Sequence, residues 1–137
     1  MSDFNKDALI DAAMAGRSLA YAPYSKFKVG AAILTKQGKY FTGCNIENAS
    51  YPLGNCAERT AMFKMISEGF TKEDVVAMCI VGQGDTPISP CGACRQVMSE
   101  LLKSTTPIIL TNLKREVMET TVEALLPYSF SLEENKK

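Results

Sequence analysis

Cys56-Ala57-Glu58 and Pro90-Cys91-Gly92-Ala93-Cys94 each stand at the head of a helical pattern, so an ion that used all three thiols would draw two helix starts to one point. That demand restricts the fold, because helix starts converge where the strands before them end along the same edge of a sheet. Zinc takes about four ligands, and three thiolates leave one position open for water, which is the pattern of a catalytic site. Glu58, two residues after the first cysteine, points about 200° around the helix axis from it and is free to act as an acid or base.

The chain has no histidine. A metal must then be held by Cys, Asp or Glu, and a proton moved near neutral pH by a carboxylate, Tyr, Lys or Cys. Ser-His-Asp and Cys-His mechanisms are excluded. Three thiolates over-charge a zinc ion and weaken it as a Lewis acid. Two helix dipoles and Arg59, next to Glu58, would offset that excess.

The patterns around the motifs predict an α/β fold. Apolar residues Leu9, Ala12, Ala13, Met14 and Ala20 predict a helix over residues 5–20, with Asn5 or Asp3 as cap. Residues 28–35 read as a strand buried on both faces, with Val29, Ala31 and Ile33 on one side and Ala32 and Leu34 on the other. Gln37-Gly38 marks a hairpin turn and residues 40–44 a second strand. A polar loop, 45–55, leads to a helix over 56–68, a fully apolar strand over 75–81 and a helix over 91–102. Strands over 108–111 and 116–120 and a short helix over 122–126 follow, before a polar tail at 133–137. We expect a three-layer α/β/α sandwich around a mixed five-stranded sheet, in one domain spanning residues 1–137 with about 131–137 as a mobile tail.

Zero net charge removes the attraction that nucleic-acid binders use, and no apolar run reaches the length of a membrane span. Neither nucleic acid nor membrane is expected as a partner. The first residues, Met1-Ser2-Asp3-Phe4-Asn5-Lys6-Asp7, show no secretory pattern, so a reducing, cytoplasmic setting is expected and five cysteines read as thiols or ligands.

Blander readings exist for each feature. A closed structural zinc would need a fourth cysteine: Cys79 lies inside an apolar strand and reads as core, whereas Cys44, before the polar loop, is the better candidate. Cys91 and Cys94 alone could form a redox dithiol, although such pairs normally follow the first strand of a strand-helix-strand unit. Spacing favours the open zinc site. Asn45 and Glu47 could merely satisfy the backbone of their own loop, as Asn commonly does, and Phe27 at a strand entrance could be core.

Four ordered blocks stand out: Tyr21-Ala22-Pro23-Tyr24-Ser25-Lys26-Phe27-Lys28-Val29-Gly30-Ala31-Ala32, Gly43-Cys44-Asn45-Ile46-Glu47-Asn48-Ala49-Ser50-Tyr51, Asn55-Cys56-Ala57-Glu58-Arg59-Thr60-Ala61 and Ser89-Pro90-Cys91-Gly92-Ala93-Cys94-Arg95-Gln96. Together they resemble the small, homotetrameric, zinc-dependent cytidine deaminases. Leu125-Leu126-Pro127-Tyr128-Ser129-Phe130 resembles the family's C-terminal end. Pro52-Leu53-Gly54 and Tyr128 depart from the common pattern only locally. The resemblance implies Cys56, Cys91 and Cys94 as ligands of one Zn2+ per subunit, with zinc hydroxide attacking C4 of cytidine or deoxycytidine and Glu58 moving the proton to N3 and the leaving amine. It implies that Asn45 and Glu47 bind ribose and that Phe27 packs on the substrate. The backbone at Ala57 and Ser89 would hold the base edge, Arg59 would bond ligand sulfurs, and Phe130 would arrive from a neighbouring subunit. A deaminase of a cytosine-containing nucleoside antibiotic shares the cysteine blocks, but Asn45-Ile46-Glu47-Asn48 argues for an ordinary ribose.

Overall fold

A computed structural model describes residues 4–132. The alternative cap Asp3 and the polar tail at 133–137 lie outside the described residues. Helix α1 (Lys6–Arg17) starts at Asn5, whose side chain accepts the Ala8 amide at 3.0 Å. It ends before Ala20, because the Tyr21 amide turns away to the Asn45 carbonyl and the chain there pairs with Ile46.

Strands β1 (Gly30–Thr35) and β2 (Tyr40–Cys44) form the expected hairpin, turned through Gly38 at φ +82°, a left-handed conformation that glycine adopts at no steric cost. Helix α2 (Ala57–Ser67), strand β3 (Val75–Val81), helix α3 (Gly92–Leu101) and strand β4 (Pro107–Thr111) follow. Strand β5 (Val117–Thr121) and helix α4 (Val122–Leu125) complete the order. The sheet runs β2-β1-β3-β4-β5; β3 and β4 are parallel and the other neighbours antiparallel. This is the mixed five-stranded sheet that the patterns imply.

Each face of the sheet carries its own core. On one face Leu9, Ile10 and Ala13 of α1 pack on Ala32, Ala77, Cys79, Val81 and Ile109. On the other Met62 and Met65 of α2, with Met98 of α3, cover Ala31, Ile33, Met78, Ile80 and Ile108. Alternation along β1 thus divides Ala31 and Ile33 from Ala32 as its sequence suggests, and Cys79 is a plain core residue. Among the described residues no helix is long and apolar enough to cross a membrane.

Packing on this second face positions the cysteines. A Cβ at Gly43 would come within 2.4 Å of the Ala57 carbonyl oxygen and 2.6 Å of the Ala61 nitrogen, so only glycine lets the first turn of α2 rest on β2. Lys64 reinforces the crossing by donating to the Thr42 carbonyl at 2.6 Å. The loop after β3 carries the chain to Cys91 at the head of α3, over the same edge of the sheet.

Candidate active site

Cys56 and Cys91 are the N-cap residues of α2 and α3, both with extended backbone, φ −80° and −69°. Their thiols make no capping bond to their own helices and are left to face one another. The sulfurs of Cys56, Cys91 and Cys94 all lie within 4.8 Å of each other, and the Cys56 and Cys91 pair is 3.9 Å apart. A tetrahedral ion with zinc–sulfur bonds of about 2.3 Å requires sulfurs about 3.8 Å apart. The donor set therefore fits zinc, and Cys44, the fourth ligand of the closed-site reading, is not in the cluster.

Cys56 and Cys94 are pushed in opposite directions. A hydrogen bond from Cys94, and then one from the Arg59 guanidinium, hold Cys56 down at about 5 against the opposing effect of burial. Arg59 Nη2 donates to Cys56 Sγ at 3.3 Å, and this bond strengthens the hold of the guanidinium on its proton. The bond to Cys56 and burial push Cys94 up, since a second negative charge beside the first is unfavourable. A metal cation reverses that preference and displaces the remaining protons.

Glu58 lies in the first turn of α2 and is only 4% exposed. Burial, with the Cys56 charge as a lesser cause, raises its carboxyl to about 7, within the range where one group can both take and return a proton. It opens on a cavity of about 650 Å³ whose walls include Phe27, Asn45, Glu47, Ala57, Ser89 and Cys91. The structure thus brings together every site residue suggested by the sequence except Phe130; Cys94 is fully buried and joins the others through the thiol cluster rather than through the cavity wall. Phe130 is 60% exposed and is not part of the cavity wall of its own chain.

Asn45 and Glu47 also do what their blander reading describes. Asn45 Oδ1 accepts the Val29 amide at 2.9 Å and its Nδ2 donates to the Phe27 carbonyl at 2.8 Å. Glu47 Oε1 accepts the amides of Tyr24 and Ser25, and its other oxygen accepts the Ser25 hydroxyl, so its carboxyl is held below the usual carboxylate range. Both residues therefore staple the 21–29 loop to the end of β2 while lining the cavity.

Two side chains near the site escaped sequence reasoning. Arg95 donates to Ser89 Oγ at 2.6 Å, to the Pro90 carbonyl at 2.9 Å and to the Leu125 carbonyl at 2.8 Å, and so holds the segment that enters α3. Thr60 Oγ1 lies 3.1 Å from the carbonyls of both Cys44 and Cys56 and receives Asn55 Nδ2, tying the polar loop to α2. Arg95 sits in a cysteine block, one turn after Cys91, and that position was the available signal. Its distant partner at Leu125 was not visible there.

Comparison with known proteins gives a consistent picture. The profile described as "Cytidine and deoxycytidylate deaminase zinc-binding region" matches residues 4–110. A cytidine deaminase of Halalkalibacterium halodurans is 52% identical over 130 residues, covering 95% of this chain and 97% of that protein. A crystal structure of cytidine deaminase from Burkholderia pseudomallei superposes with TM-score 0.90 at 54% identity, covering 93% of this chain and 100% of that one. The enzyme from Mycobacterium tuberculosis gives TM-score 0.80 at 36% identity, over 95% and 100% of the two chains. Shared sequence over nearly the full length, on a shared fold, means that this chain belongs to the zinc-dependent cytidine deaminase family.

Proposed function

We propose that the protein hydrolyses cytidine and 2'-deoxycytidine to uridine and 2'-deoxyuridine with release of ammonia, in pyrimidine salvage in the cytoplasm. The observation that carries this reading is the buried Glu58 carboxyl, raised to about 7, opening on a cavity beside three thiols spaced for one zinc. Cys56, Cys91 and Cys94 would hold the ion, which when bound supplies a Lewis acid that activates water at neutral pH. Glu58 would take one proton from water and deliver it to N3 of the pyrimidine, then take the proton of the hydroxyl added at C4 and pass it to the departing amine as the C4–N bond breaks. Arg59 offsets the charge of the cysteine set through its bond to Cys56.

The remaining cavity residues bind and orient. Asn45 and Glu47 face the sugar, where an amide and a carboxylate suit hydroxyl groups and a carboxylate repels phosphate. The backbone at Ala57, in the first turn of a helix whose leading amides lack intrahelical acceptors, and that at Ser89 hold the polar edge of the base. Phe27 packs on the substrate. Phe130 completes the pocket of a neighbouring subunit in a homotetramer; its exposure, with that of Leu132 beside it, supports a role between chains. One domain spans residues 1–137, as the two cores on a single sheet suggest. Zero net charge disfavours a polynucleotide substrate.

Cytidine turnover, followed by loss of absorbance with and without a chelator alongside a metal count, tests the reading. About one zinc per chain and loss of turnover on its removal are expected. Full turnover by metal-free protein, or none with zinc bound, would overturn it.

A further inference from the structure

At the entrance to β1 the sheet runs out of neighbours. Gly30 pairs with Cys44 of β2 on one side and Val81 of β3 on the other. Beyond those residues β2 leads into the 45–55 loop and β3 into the 82–91 loop. Residues 26–29, which include the cavity residue Phe27, keep two backbone bonds, from the Lys26 amide to the Ala22 carbonyl at 3.1 Å and from the Asn45 amide to the Val29 carbonyl at 3.3 Å, and their other backbone groups need partners from elsewhere.

Two side-chain amides take the place of the missing strands. On the β2 side Asn45, the residue after Cys44, bonds the Phe27 carbonyl and the Val29 amide. On the β3 side Gln83, two residues after Val81, bonds the alternate pair: its Oε1 accepts the Lys28 amide at 3.1 Å and its Nε2 donates to the Lys26 carbonyl at 3.1 Å. The segment thus alternates its bonding between two flanks, as a central strand does. Arg17, at the end of α1, fixes the outer flank by donating to Gln83 Oε1 at 2.7 Å and to the Lys28 carbonyl at 3.0 Å. Lys26 has φ +60°, a left-handed conformation that needs surrounding bonds to hold a non-glycine residue.

Gln83 also belongs to the loop between β3 and α3, which supplies Ile88, Ser89 and Cys91 to the lining of the same cavity. Its bonds therefore join the segment bearing Phe27 to the loop that leads to Cys91. We propose that Gln83, anchored by Arg17, is a positioning residue that sets Phe27 against the substrate and thereby governs nucleoside affinity. The proposal rests on the deaminase reading given above. Because the clamp touches neither Glu58 nor the thiols, its loss acts on KM and leaves kcat and zinc content in place.

The test compares Gln83→Leu, which keeps the bulk and removes all three bonds, with Gln83→Glu, which keeps the acceptor for Arg17 and Lys28. Both are studied as zinc-loaded full-length protein. Gln83→Leu is expected to raise KM for cytidine about 3- to 10-fold, the range expected for the loss of a net hydrogen bond, with kcat unchanged. Trypsin cleavage after Lys26 and Lys28, mapped by mass spectrometry, should accelerate while other sites keep their rates. Gln83→Glu should recover most of both effects. An unchanged KM overturns the proposal, as does a decline shared by kcat, zinc content and every tryptic site. If the wild-type protein fails to turn over cytidine, the functional reading falls, whereas the cleavage pattern still decides whether the clamp exists.

Discussion

The two sides of the cavity are built by different physics. Cys56, Glu58, Cys91 and Cys94 sit on the first turns of α2 and α3, whose Met62, Met65 and Met98 are fully buried against the sheet. Phe27, Asn45 and Glu47 sit on irregular segments held by side-chain hydrogen bonds, several of them exposed. Close packing tolerates little displacement, so the reacting groups share the rigidity of the core. Bonds open to water exchange more readily and contribute about 1 kcal/mol each, so the binding wall is the adjustable one. The lesson is a division of labour, with chemistry on packed helix starts and recognition on stapled loops.

Replacing Glu58 attacks the rigid side alone. Glu58→Gln is expected to lower kcat by about 100- to 10,000-fold, the usual worth of a positioned acid or base. It should retain zinc and lose no thermal stability, since it removes a carboxyl whose ionisation burial opposes. Turnover, a metal count and a melting curve check it; wild-type turnover would remove Glu58 from the chemistry.

Asn45→Ala probes the other side. It strips partners from the Val29 amide and the Phe27 carbonyl, at a cost of about 1–3 kcal/mol in unfolding free energy measured with urea, and it raises KM with little change in zinc. Loss of zinc in this variant would mean that the two sides are not separable.

The smallest expected effect is that of acid on Glu47. Its bonds to the Ser25 hydroxyl and amide and to the Tyr24 amide lower its folded pKa below the ordinary 4.5. A lowered carboxyl stabilises the fold above its unfolded value, and that contribution is lost as pH falls through the folded one. Amide-exchange protection at Tyr24 and Ser25 should therefore persist down to pH 4.5 and decline below it. Decline at higher pH would show that another group holds the loop.

Much of the rigid side was legible in the chain. The apolar run of β3, the Gln37-Gly38 turn and the cysteines at two helix starts rest on local periodicity and local chemistry, and the structure reproduces them. The adjustable side was less legible. The start of β1 was expected at Lys28, but the strand begins at Gly30 because the Lys28 and Val29 amides go to Gln83 and Asn45 side chains. Arg95 and Gln83 could not be given partners, because the Leu125 and Lys26 carbonyls they bond are ordinary backbone groups, remote along the chain.

The sequence alone determined the kind of chemistry: without histidine, three thiols and one carboxylate are what the motifs offer to a metal and a proton. It also suggested the layers, since periodicity marks the buried residues of α1 and α2, the two faces of β1 and the fully apolar run of β3. Only the tertiary structure decided that Cys44 stands apart from the thiol cluster, that Glu58 is buried enough to rise to about 7, and that Gln83 bonds the segment bearing Phe27. Distance, desolvation and long-range hydrogen bonding are properties of groups brought together in space, and a linear order of residues carries none of them.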